Sequence, residues 1–164
     1  MEAALSYDIL PSLYVQLVPD AEGLRNIRRI ANFLRLPVLD DYHCTVMHSP
    51  YRGISEAVAR VMVSREPEFI AESSGIVWWP GHNNKGYLVL QLLSAALSEF
   101  HKRFKRAGAR SNFTDYCPHI TLAEGVKLVG ELEARVIEYN EYYIGRENRH
   151  YLRLESPTFD IVRP

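Results

Sequence analysis

Residues 12–18 alternate, with Leu13, Val15 and Leu17 on one side and Tyr14 and Gln16 on the other. Side chains two apart share a face of a strand, so this segment predicts a half-buried strand. Asp20 then stands where a helix N-cap belongs, and Leu24, Ile27, Ala31 and Leu34 recur at helical spacing until Pro37. A second strand is expected over 41–48. The same order returns downstream. Residues 86–93 read as an apolar strand, and Ser94 caps a helix that puts Leu97, Phe100, His101 and Phe104 on one face. Gly108 sits at the expected C-terminal end, and 116–124 is extended. Between these strand–helix–strand units, 54–64 predicts a short helix and 69–79 a strand ending in Trp78-Trp79. Beyond them, 131–143 predicts a helix, and 149–155 with 158–163 a closing hairpin. The pattern is mixed α+β. Without a linker or low-complexity tract, one domain over 1–164 is expected.

Composition narrows the function classes. The 164 residues suffice for a hydrophobic core, and a hydrophobic fraction of 47% excludes general disorder. Nineteen Lys plus Arg against twenty Asp plus Glu leave a net charge of −1. That argues against a grip on duplex DNA through many phosphates, but not against one small phosphorylated ligand. No apolar run approaches the ~20 residues of a membrane span, and the first ten residues lack the order of a signal peptide. Cys44 and Cys117 make no CxxC motif. A soluble protein of the reducing cytoplasm is the expectation.

Each strand–helix–strand unit ends in a His-x-Thr motif: His43-Cys44-Thr45 and His119-Ile120-Thr121. Random placement of the six His and four Thr would give about 0.15 such pairs. On a strand the i, i+2 spacing sends His43 and Thr45 to one face and Cys44 and Val46 to the other, with the same split around Ile120. Two such pairs facing each other across a groove suit phosphoester chemistry. One imidazole accepts a proton while the other donates one, and the Thr hydroxyls hydrogen-bond the phosphate oxygens. No metal and no cofactor is called for.

These features resemble the 2H phosphoesterase superfamily. The resemblance rests on both motifs, the Leu88-Val89-Leu90-Gln91-Leu92 segment and Cys117-Pro118-His119-Ile120-Thr121-Leu122, and covers nearly the whole chain. It implies two pseudo-symmetric β-sheet lobes, backed by helices, around a central cleft. It also implies His43, Thr45, His119 and Thr121 as catalytic residues. Within the superfamily, the short length, His43 to Ser49 and the Tyr-flanked second motif look most like the phage-encoded enzymes that degrade the cyclic-oligonucleotide signals of CBASS defence. The host cytoplasm would then be the place of action. Pro118 is also common in the RNA-end-processing branch, so a 2′,3′-cyclic phosphodiesterase acting on RNA ends is a second expectation. A module that sequesters nucleotides without turnover is a third.

Further site residues follow from position. Tyr14 is expected to face the groove and stack on a base, with Gln16 beside it. Trp78 and Trp79 must point oppositely, and Trp79 is assigned to the groove. Ser49, Tyr51 and Tyr116 flank the motifs and are candidates for phosphate or sugar contacts. Lys85, the basic segment 101–110 and Arg153 with Glu155 are weaker candidates. Strand parity turns Cys44 and His48 away from His43, so Cys44 reads as a buried hydrophobe. A zinc site built on His48 is disfavoured on the same ground.

Overall fold

A computed structural model describes residues 12–50, 53–65, 68–111, 115–144 and 151–162. Six strands are present there: β1 (Ser12–Pro19), β2 (Cys44–Ser49), β3 (Glu68–Pro80), β4 (Gly86–Leu93), β5 (His119–Val126) and β6 (Tyr151–Val162). Four α-helices accompany them: α1 (Ala21–Phe33), α2 (Glu56–Ser64), α3 (Ala95–Arg106) and α4 (Gly130–Tyr139). The helix starts follow the capping rule. Asp20 accepts from the Gly23 amide at 2.8 Å, and Ser94 from the Leu97 amide at 3.2 Å, so one otherwise orphaned donor is satisfied at each start.

All strand pairs are antiparallel and form one closed ring in the order β1-β2-β5-β4-β3-β6. The expected two lobes are therefore joined. Among the described residues, 151–162 do not make the expected hairpin. Instead β6 is one long strand that pairs with β3 through Tyr151–Glu155 and with β1 through Leu154–Val162. Pro157 lies where the β1–β6 register shifts, a place where its missing N–H interrupts no regular ladder. On the opposite side, β2 and β5 share a single register pair, Cys44↔Ile120.

The apolar sheet face carries Leu13, Val15, Leu17, Cys44, Leu88, Leu90, Ile120, Leu122, Leu152 and Leu154, all buried. It packs against Ile27 and Ile30 of α1 and Leu97, Phe100 and Phe104 of α3 in one continuous core. Phe100 stacks on Phe69 at 5.2 Å between ring centroids, which fixes α3 on β3. Gly108 closes α3 at φ +112 with its backbone against Gly53, where a Cβ would collide with the Gly53 carbonyl. The other sheet face holds the motifs.

Candidate active site

Both motif histidines sit where their strands begin: His43 just before β2 and His119 as the first residue of β5. The two strands adjoin at Cys44↔Ile120, which brings the His-x-Thr pairs side by side across the seam. Tyr14, on the neighbouring β1, ties the first pair together. Its hydroxyl lies 2.9 Å from His43 Nε2 and 2.6 Å from Thr45 Oγ1. The hydroxyl has one proton, so it donates to one of these atoms and accepts from the other. Burial, with the nearby Asp41 charge, raises the Tyr14 pKa above the phenol range, while the Thr45 hydrogen bond opposes the rise. Tyr14 therefore stays protonated. Asp41 Oδ1 is 3.3 Å from His43 Nδ1 but out of line for a hydrogen bond, and Nδ1 is buried. With Nδ1 buried, Nε2 is the ring nitrogen left for chemistry, and the Tyr14 hydroxyl holds it.

His119 is held differently. Its Nδ1–H donates to the Cys117 carbonyl at 2.9 Å, which leaves Nε2 for chemistry. Trp79 packs edge-on against the ring, centroids 4.3 Å apart at 68°. Burial lowers the His119 pKa below the ordinary imidazole value, and the His43 charge adds to this, while the Cys117 carbonyl opposes it. Gln91 pairs with His119 across the β4–β5 ladder and donates to Cys117 Sγ at 3.6 Å.

The parity expected for His48 fails at a β-bulge. Val15 pairs with Met47 and Gln16 with Thr45, so Val46 is an extra residue in β2. Val46 and Met47 are both buried, and His48 turns back to the face of Thr45, opposite Tyr14. Its ring lies edge-on to Tyr14 at 5.7 Å. A cavity of about 130 Å³ is lined by Thr45, His48, Trp79, Tyr116, Cys117 and His119, among others. The bulge carbonyls are themselves satisfied. His101 Nδ1–H donates to Val46 O at 2.6 Å, and the Tyr116 hydroxyl donates to Thr45 O at 2.8 Å. His101 and Tyr116 stack at 4.2 Å, 6° from parallel.

The chain matches the family model described as anti-CBASS protein Acb1 over residues 11–152. It belongs to the Acb1 family of anti-CBASS proteins. The match includes Tyr14, both His-x-Thr motifs and Trp79, and the family description places the chain among proteins that counter CBASS defence. No curated protein matches the chain.

In this Acb1-family chain, several expected contacts take other roles. Tyr14 is bonded through its hydroxyl to His43 and Thr45, a contact the expectation of base stacking did not include. Ser49 is fully buried and accepts from the Arg110 amide at 2.9 Å, which fastens the end of β2 to the segment after α3. It does not reach the cleft. Tyr116 lines the cavity with its ring, but its hydroxyl is spent on Thr45 O. Trp79 does face the site, whereas Trp78 donates from Nε1 to Val126 O at 3.0 Å. Thr121 is half-buried, on the face of His119. Cys44 is buried, and burial pushes its thiol up to about 12, so it is inert as a nucleophile. Lys85 is exposed on the β3–β4 turn. Arg153 is exposed beside Glu68 at 3.8 Å. Tyr51 and the Glu155 side chain lie outside the described residues. In 101–110, His101 and Phe104 are buried, while Lys102, Lys105, Arg106 and Arg110 form an exposed basic edge. Arg106 pairs there with Glu99. Among the described residues, no group of three or more His, Cys, Asp or Glu is placed to hold a metal ion, and no helix is long and apolar enough to cross a membrane.

Proposed function

We propose that the protein is a 2H-type, metal-independent phosphodiesterase that cuts the cyclic-oligonucleotide signal of CBASS. The observation that carries this reading is the pair of His-x-Thr motifs set side by side at the β2–β5 seam in a chain of an anti-CBASS family. His119 serves as the base, because its depressed pKa keeps Nε2 unprotonated at neutral pH. His43 serves as the acid, with its Nδ1 3.3 Å from the Asp41 carboxylate. His119 takes a proton from the attacking oxygen, the oxygen–phosphorus bond forms, the leaving oxygen departs, and His43 protonates it. The proton balance is the same for attack by water or by a ribose 2′-hydroxyl. The latter leaves a 2′,3′-cyclic phosphate. Thr45 and Thr121 donate to the non-bridging oxygens, where charge accumulates.

The test is incubation with EDTA and a panel of cyclic di- and trinucleotides, linear 2′-5′ oligonucleotides and RNA ending in 2′,3′-cyclic phosphate, with products identified by mass. Cleaved cyclic oligonucleotide is expected. His43→Ala and His119→Ala should each lower the rate by about 10²–10⁴-fold. Ligand bound but recovered intact would instead establish sequestration, and cleavage confined to the RNA ends would establish end processing.

A further inference from the structure

The acid–base scheme uses two of the three imidazoles on this face and leaves His48 without a task. Three observations bear on it. The β2 bulge makes His43, Thr45 and His48 successive positions of one face, although 45 and 48 are three apart in sequence. Tyr14 stands between the two imidazoles, with His43 at 6.2 Å and 71° and His48 at 5.7 Å and 63°. His48 is exposed while lining the same cavity as Thr45 and His119, so a ligand can reach its ring nitrogens.

We propose that His48 binds a second phosphate of the substrate, the one next along the ring from the phosphate being cut. This rests on the cyclic-oligonucleotide reading above. Successive positions on one strand face stand about 7 Å apart, a step comparable to one nucleotide of backbone. An imidazole offers ring N–H donors suited to a phosphate oxygen. Its aromatic neighbour meets it edge-on, so the two rings form no parallel slot for a base. His48 thus reads the presence of a neighbouring phosphate, which every cyclic oligonucleotide has and a single diester lacks.

The experiment compares a cyclic dinucleotide, with two phosphates, and the corresponding linear dinucleoside monophosphate, with one. In His48→Ala the ratio of kcat/KM, cyclic over linear, should fall about tenfold, carried by KM and not kcat, the scale of one lost charge-assisted hydrogen bond. His48→Gln, which keeps a donor, should recover part of it. A ratio unchanged from the wild-type protein overturns the proposal. Calorimetry in a His119→Ala background reads the same contact without turnover. There His48→Ala should weaken binding of the cyclic dinucleotide about tenfold, and an unchanged Kd overturns the proposal. Binding that depends on His48 in a wild-type protein that cuts neither substrate overturns the catalytic reading and upholds this one. Turnover of both substrates with an unmoved ratio does the reverse.

Discussion

His119 keeps one ring nitrogen on the Cys117 carbonyl and is pulled below the ordinary imidazole pKa mainly by burial. A base with a lowered pKa stays unprotonated further into acid. The acid limb of kcat/KM should therefore fall below about pH 6.5, the unperturbed histidine value. A limb above that value in a pH–rate profile would overturn the assignment of His119 as the base. Tyr14 governs the other half of the site. Tyr14→Phe keeps the ring between the histidines but removes the hydroxyl that fixes both His43 Nε2 and Thr45 Oγ1. A loss of about tenfold in kcat is expected, from lost orientation, with the thermal midpoint nearly unchanged. Sequence alternation placed Tyr14 on the correct face but not its task. A hydroxyl 29 residues from its partner in sequence becomes a bridge only once β1 and β2 pair in register.

The bulge in β2 decides what that strand presents. Val46 O and Thr45 O each receive a side-chain donor, from His101 and Tyr116. Replacing His101 with Leu leaves the Val46 carbonyl buried and unpaired, at a cost of about 1–3 kcal/mol in denaturant unfolding. A pH signature should accompany it. Burial lowers the His101 pKa in the folded state, with the Val46 bond opposing and the Lys105 charge assisting. The unfolded chain therefore binds the proton more readily. The wild-type protein should lose stability as pH falls through about 6.5 and below, and His101→Leu should lose less over that range. The elements themselves were readable because their signals are local: alternation for β1, caps at Asp20 and Ser94, and an apolar helical stripe for α3. His48 was misplaced because strict alternation was carried through Cys44-Thr45-Val46-Met47-His48. Its one warning was two consecutive apolar residues, Val46 and Met47, both of which the fold buries. The hairpin assigned to 149–163 failed for a similar reason. A Pro within an extended run signals either a turn or a shift of register, and only pairing with both β1 and β3 decides between them.

Across the whole molecule, a net charge of −1 points to a small anionic ligand and not a long nucleic acid. A ligand with two or three phosphates releases few counterions, so the affinity for a cyclic dinucleotide should fall only gently with salt, with a log–log slope of magnitude about 1–2. A slope of several units, measured by titration at increasing salt, would signal instead a long nucleic acid lying along the basic edge of α3. The fold class and the two motif strands were legible from one sequence, but closure of the ring was not, because strand order depends on partners distant in the chain. That closure has a mechanical consequence. His119 and His43 stand on opposite banks of the β2–β5 seam, where one register pair joins the strands. The spacing between them is therefore set by few links, that register pair and the Tyr116 hydroxyl on Thr45 O among them. On the proposed reaction, a substrate held by groups on both banks adds links across this seam, and those links are lost once it is cut.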